Sequence, residues 1–317
     1  MARPEKPVDN GQTAPFNRHD IVVYFEVIKG NPNGDPDMEG APRMTRFGTS
    51  EATRESLGWR CKEAYKRAGA PAGGLFIQQD GVLLNDKIQG AIESLGIVTE
   101  ENKKTSLEDR IKASMELSKT FWDIRHFGAV LGTGKGGGAM SLRGPVQITD
   151  AETVHTVDLT STTIFRRSVT NEKDLGKDGT FGRRTKVGYG LYKFTISICP
   201  SAAMVTGMTQ EDLDLFLKML PYIFENKSAT SGDINIRKIY DFEHMPPEDV
   251  EDGDHVTWSR VPPFKLRERI KTQLNDGIEL PTSFEDITIN TDFTHPPVGV
   301  VLRERVENQK IWDGSGK

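Results

Sequence analysis

The sequence predicts an α+β fold. Three observations carry that prediction. Residues 20–28 (DIVVYFEVI) form an apolar run rich in β-branched and aromatic residues, the composition of a buried strand. Residues 189–199 (YGLYKFTISIC) alternate cleanly between apolar and polar, as a strand with one buried face does. Residues 209–224 repeat Leu213, Phe216, Leu217, Leu220 and Phe224 at helical spacing, and residues 235–242 (NIRKIYDF) follow as another strand. With a helix after the first strand and strand-like residues 144–150 (GPVQITD), the order is strand, helix, strand, strand, helix, strand. That is the order of a ferredoxin-like or RRM-type sheet. This superfold hosts many functions, so the order alone assigns none.

Taken along the chain, residues 1–19 are polar, proline-containing and aperiodic, and are expected as a flexible tail. After the first strand comes a turn-rich loop, NPNGDPD (31–37). A helix is expected over about 50–68, with Leu57, Cys61, Ala64 and Ala68 inward and Gly69 and Pro71 ending it. Helical patterns at about 83–95 and 106–121 suggest an inserted lobe. The second opens on Thr105 and Glu108, the spacing of a capping box. A glycine-rich loop, GTGKGGG (132–138), precedes the second strand. Alternating apolar residues over 160–188 flank a Gly/Asp/Lys-rich tip and predict a long hairpin arm. Thr209 and Asp212 cap the second core helix, and Pro221 is expected to bend it. Short strands at 287–290 (ITIN) and 298–302 (VGVVL) fall in an acidic C-terminal region. No internal repeat is visible.

Composition excludes several classes. The 317 residues are 36% hydrophobic with a mean hydropathy of −0.50, and no apolar run reaches the length of a membrane span. The N-terminus has no apolar signal core. Two isolated cysteines, Cys61 and Cys199, give neither a disulfide framework nor a zinc spacing, and a reducing cytoplasm is the expected setting. The net charge of −5 would argue against nucleic acid, but it is unevenly placed. Residues 241–317 hold nine Lys and Arg against 16 Asp and Glu, whereas residues 166–193 hold eight basic groups and three acidic ones. A phosphate backbone responds to local charge.

The motifs narrow the chemistry further. As a turn, NPNGDPD is made of the residues that form turns. As a calcium loop, Asp35, Asp37, Glu39 and Gly40 mimic an EF-hand start, but Arg46 stands where the bidentate Glu belongs. A metal-dependent nuclease on Asp35 and Asp37 lacks a nearby third ligand. The glycine-rich loop fails the Walker pattern. Ala129 stands six places before Lys135, and Gly136 follows it. Its amides, with Lys135 and Arg143 beside them, remain suited to a phosphate. Arg166-Arg167 and Arg183-Arg184, with Lys186, border the arm on both sides, and Phe165 and Phe181 are available to stack on bases or on each other. The six histidines are dispersed, and no catalytic constellation is readable. No cofactor or metal is expected.

Five segments in order resemble a known family: GNPNGDPD (30–37), WDIRHFGAVL (122–131), RGPVQIT (143–149), GRRTKVGYGLYKF (182–194) and FENKSATSGDINIRKIYDFEH (224–244). They look like the CRISPR Cascade backbone family, Cas-seven, and within it the type I-C, Csd-type branch. The resemblance spans roughly residues 20–245. It implies a single hand-shaped domain over 20–317, with an RRM-like palm (20–69 and 122–245), helical fingers (about 70–121), a thumb hairpin (about 160–188) and a C-terminal extension (about 246–317). It implies that several copies coat a crRNA as a helical filament, kink it with the thumb and present its bases to a target DNA strand. The expected partners are then neighbouring copies and the Cascade large, cap and small subunits, with no membrane. By position it implies RNA contacts from Lys29, Asn31, Asn33, Arg43, Arg46, Arg60 and Lys62, from Lys135, Ser141 and Arg143, and from Arg166, Arg167, Arg183 and Arg184. Gly58-Trp59 interrupts the basic run that relatives carry on the first helix. The acidic C-terminal region has no counterpart in the resemblance. Two other readings stand beside this one: a metal-dependent RNA endonuclease like type III backbone relatives, and a structural oligomer whose basic clusters meet the acidic region of the next copy.

Overall fold

β1 (Arg18–Gly30) is the axis of the fold, because both its faces and both its edges are covered. Its odd residues, Ile21, Val23, Phe25 and Val27, enter one apolar core, and its even residues, Val22 and Tyr24, enter another. That two-sided burial is why the segment reads as a continuous apolar run rather than an alternation. The computed structural model describes residues 14–70, 74–77, 81, 83–96, 106–131, 140–166, 180–225, 232–245 and 259–316. The tail up to residue 13, the glycine-rich loop with Lys135, and the arm's tip with Arg167 lie outside them.

From β1 the chain makes three short strands, β2 (Gly34–Asp35), β3 (Ala41–Met44) and β4 (Ser50–Ala52), and enters α1 (Arg54–Arg67). Then come α2 (Leu84–Ser94), α3 (Leu107–Thr120), α4 (Trp122–Phe127) and the hairpin β5 (Gly128–Leu131) and β6 (Met140–Arg143). β7 (Val146–Ile148), β8 (Ala151–Thr153) and β9 (Leu159–Arg166) precede the long β10 (Thr180–Ile198). α5 (Pro200–Thr206) and α6 (Gln210–Met219) lead to β11 (Asp233–His244). α7 (Pro263–Arg267), β12 (Ile270–Leu274), β13 (Ile287–Thr291), β14 (Val300–Glu304) and β15 (Gln309–Asp313) complete the chain.

The main sheet runs β15-β14-β11-β1-β10-β8-β4-β3-β2, with β7 and β9 also on β10, and its described pairings are antiparallel. Helices α1 and α6 cover one face. There Leu57, Cys61, Leu213 and Phe216 meet Phe25, Tyr192 and Phe194, with Phe25 stacked on Tyr192 at 4.8 Å. Truncating Phe25 to Ala would cost about 3–5 kcal/mol. α2 and α3 form a separate small core with Phe76, Phe121 and Ile124.

The C-terminal region covers the opposite face. β14 and β15 extend the sheet beyond β11, with Leu302 opposite Phe242. Leu266, Ile270, Ile287 and Trp312 pack on Val22, Tyr24 and Leu191. The Trp312 Nε1–H donates to the Phe293 carbonyl at 2.9 Å. Part of the local acidic excess is internal. Asp241 is fully buried between His19 (2.8 Å) and Arg305, and Asp20 accepts from His244 Nε2 (3.0 Å) and Ser197 Oγ (2.6 Å). Burial alone would raise both carboxyls, but these partners hold them well below the usual range.

Four expectations are corrected. The first helix starts at Arg54, not near Ser50. Residues 50–52 are instead a strand, with Thr53 as N-cap and Ser50 bonded to the Arg43 carbonyl and the Tyr192 hydroxyl. The lobe's second helix is capped by Ser106 to Asp109 N, one residue later than expected, because two overlapping Ser/Thr-x-x-acid patterns compete there. The capping box of Thr209 and Asp212 is present, but that helix stops at Met219, and Pro221, lacking an N–H, sits in a 3-10 turn over Leu220–Tyr222. The strand at 189–199 is the second half of the 19-residue β10, whose first half pairs with β9 as the arm.

Candidate nucleic-acid interface

The loop after β1 is braced by its own side chains. Asn31 Nδ2 donates to the Gly40 carbonyl (2.8 Å), and Asn31 Oδ1 accepts from Asn33 N (3.2 Å). Asn33 Oδ1 accepts from Thr53 N (2.9 Å), Asp35 Oδ1 accepts from Asp37 N (3.1 Å), and Gly40 N donates to the Asp35 carbonyl (2.7 Å). A Cβ at Gly34 would stand 2.8 Å from the Gly40 oxygen, so only glycine fits. The loop is therefore a rigid wall, as its turn composition allows. Asn31 and Asn33 act first as its struts.

That wall faces a cleft of about 790 Å³. Its lining brings together Asn31, Asn33 and Gly34 of the loop, Arg60 of α1, and Arg183, Arg184 and Thr185 of β10. Three stretches far apart in sequence converge because β10 lies beside β1 and α1 leaves the same edge. Arg60 is half-buried, and its desolvation lowers its pKa, with only the Glu63 charge acting in the opposite direction. Among the described residues it makes no ion pair. Arg183 and Arg184 are exposed. Asp37 and Glu39, also exposed, line the same cleft. A guanidinium keeps its charge when partly desolvated and presents a fork of donors that matches a phosphate. Three such groups line one cleft together with the carboxylates of Asp37 and Glu39, and Thr185, which the sequence did not single out, adds a hydroxyl donor.

The other expected residues divide. Lys29 is exposed at the end of β1 in a left-handed conformation, φ 47°, rare for a side-chain-bearing residue. Arg43 lies 3.8 Å from Asp35 at the back of the wall. Arg46 is exposed at the β3–β4 turn. Ser141 and Arg143 are exposed on β6, opposite Val130 and Gly128 rather than in the cleft. Arg166 ends β9 opposite Thr180. Lys62 is not at the surface. Its ammonium pairs with Asp123 at 3.3 Å and only 12% of its side chain is exposed, because it follows the inward-turning side of α1. Asp123 also accepts from Phe76 N and Ile77 N, so Lys62 helps fasten the helical lobe.

Asp35 is engaged by Arg43 and by Asp37 N. Among the described residues no three His, Cys, Asp or Glu side chains gather to hold a metal ion, and no helix is long and apolar enough to cross a membrane.

Solved structures with similar chains include one described as a CRISPR RNA-guided surveillance complex, pre-nicking, at 13% identity and TM-score 0.46, covering 79% of this chain and 86% of that one. A second CRISPR RNA-guided surveillance complex matches at 13% identity and TM-score 0.35, covering 80% of each chain. A type III-B Cmr-beta bound to cognate target RNA matches at 10% identity and TM-score 0.37, covering 70% of this chain and 60% of that one. No curated protein matches the sequence. The family described as CRISPR-associated protein Cas7 matches residues 17–292, most of the chain, and the chain belongs to that family.

Proposed function

We propose that this protein is a crRNA-binding backbone subunit of a CRISPR surveillance complex, holding the guide by its phosphates in the cleft between the braced loop, α1 and the base of the arm. The observation that carries this is the convergence of Arg60, Arg183 and Arg184 on one rigid wall. Binding through phosphate needs no base readout, so the sequence information stays in the RNA. Membership of the Cas7 family supports the role.

In this reading the palm is RRM-like. It rests on the strand order β11-β1-β10-β8 and on helices α1 and α6 sharing one face. The face opposite the helices is closed by the C-terminal extension, so RNA runs along the edge at the cleft and not across the sheet. α2 and α3 are the fingers, and the β9–β10 arm is the thumb that kinks the guide between neighbouring copies. The assembly is of type I, branch I-C, working in the cytoplasm with large, cap and small subunits, and the displayed guide bases pair with target DNA in an R-loop. The subunit itself is not a nuclease.

The test is to purify the chain from a host that also expresses a matching CRISPR array, then size the particle and any RNA extracted from it. The reading expects a large particle holding guide-length RNA. An RNA-free monomer contradicts it. Regular metal-dependent cleavage of bound target RNA would favour the endonuclease reading on Asp37 or Asp35.

A further inference from the structure

Four residues beyond the cleft wall, β3 delivers the chain to a tight turn over residues 45–48. Its tip is unusual for a soluble surface: Phe47 is 68% exposed, and the Arg46 guanidinium lies 4.7 Å from its ring centroid. The turn is rigid. Thr45 N donates to the Thr49 carbonyl (2.8 Å), Gly48 N to the Thr45 carbonyl (3.2 Å) and Phe47 N to Thr45 Oγ1 (3.2 Å). Thr45 and Thr49 share a hydroxyl bond of 2.6 Å. Gly48 supplies the φ of 80° the turn requires, and its carbonyl accepts from Val157 N at 3.0 Å. Both the apolar ring and the cation are thus held out on a fixed backbone, with little ordering entropy left to lose on binding.

We propose that this tip is a stacking platform for one unpaired nucleobase of the bound guide strand, with Phe47 against the base and Arg46 on the adjoining phosphate. The proposal rests on the cleft reading and goes beyond it, since the cleft itself contacts phosphate. Three features select a nucleobase as the occupant. A single flat ring beside a guanidinium matches a planar π-system with a charged neighbour, and stacking of this kind tolerates any base. Apart from Met44, which is 37% exposed, the residues of the turn beside Phe47, Thr45, Gly48 and Thr49, are small or polar, unlike the broad apolar patch that a protein partner needs. The tip also lies within reach of the cleft. Ala41 lines the cleft, Arg43 stands on the same strand, and the span of β3 to the turn is about 13 Å at about 3.3 Å per residue.

The test compares two single-stranded oligonucleotides of equal length and charge, one an RNA with all its bases and one a base-free ribose-phosphate chain, bound to the full chain and to Phe47→Ala, Phe47→Tyr and Arg60→Ala. Stacking predicts that Phe47→Ala weakens the base-bearing RNA roughly tenfold and leaves the base-free chain unchanged, while Phe47→Tyr matches the wild type. Arg60→Ala weakens both. Equal loss on both oligonucleotides with Phe47→Ala, or no loss on either, overturns the platform and leaves the cleft reading standing. If instead Phe47→Ala changes the oligomeric state without RNA and base discrimination is untouched, the ring is a contact between copies and the proposal is wrong. Failure of the wild type to bind either oligonucleotide overturns both readings.

Discussion

Asn33 Oδ1 accepts a 2.9 Å hydrogen bond from Thr53 N, joining the loop after β1 to the cap of α1 across 20 residues. Arg60 sits two turns further along that helix, so this one bond sets the distance between the cleft's wall and its innermost cation. Asn33→Ala leaves the Thr53 amide without its partner and is expected to lower stability by about 1 kcal/mol in urea titrations. Asn33→Asp keeps an acceptor but adds a negative charge to the cleft. It is expected to hold near wild-type stability and to release RNA at lower salt.

Gly128 and Gly144 stand back to back where the β5–β6 hairpin meets the end of α4. A Cβ on Gly144 would lie 2.3 Å from Gly128 N, and Gly128 has φ 76°. Neither obstacle is a side chain that can turn away. Gly144→Ala is expected to destabilise the protein by about 3 kcal/mol, seen as a lower urea midpoint.

Lys62 separates structural from binding roles among the basic residues of α1. Removing the ammonium leaves the buried Asp123 with only the backbone amides of Phe76, Ile77 and Ile124 as donors. Lys62→Ala is therefore expected to cost about 3 kcal/mol of stability. The slope of RNA affinity against salt concentration should stay at the wild-type value. A shallower slope would put Lys62 on the RNA.

His126 should make the fold acid-sensitive. Complete burial lowers its pKa to about 4 despite the nearby Asp212 charge, and its Nδ1–H donates to the Trp122 carbonyl at 2.8 Å. In the unfolded chain it titrates near 6.5. Between those values the unfolded state holds more protons. Stability is therefore complete above pH 6.5 and falls as the pH drops towards 4, by roughly 3 kcal/mol in full. His126→Gln, compared with the wild type by urea titration at pH 7 and pH 4.5, should lose less stability on acidification.

The parts of the fold legible in the sequence were those whose signal is local. β1 announced itself because residues 20–28 are apolar on both faces, β10 because it alternates, and α6 because Thr209, Asp212 and the Leu213–Phe216–Leu217 stripe coincide. The arm was legible from its flanking alternation. The role of the C-terminal region was not. Leu302 finds Phe242 only through a register 60 residues away, and β12 to β15 are five residues each, too short for periodicity to speak. In the interface, the resemblance named Arg60 on the first helix and Arg183 and Arg184 on the thumb as separate RNA contacts, and only the fold brings the three to one cleft. The resemblance could not separate Lys62 from Arg60, because helix spacing gives a direction but not the Asp123 carboxylate waiting there. Nor could composition show that the loop's asparagines are struts.

The central claim is that guide phosphates lie in the cleft, and the salt dependence of RNA affinity tests it most directly. For a single strand, each phosphate contact contributes about 0.7 to the slope of log affinity against log salt. Arg60→Ala, Arg183→Ala and Arg184→Ala together should reduce the slope by about 2 relative to the wild type, with the urea midpoint nearly unchanged. A slope equal to the wild-type value in the folded triple variant would contradict the account and place the RNA elsewhere on the molecule.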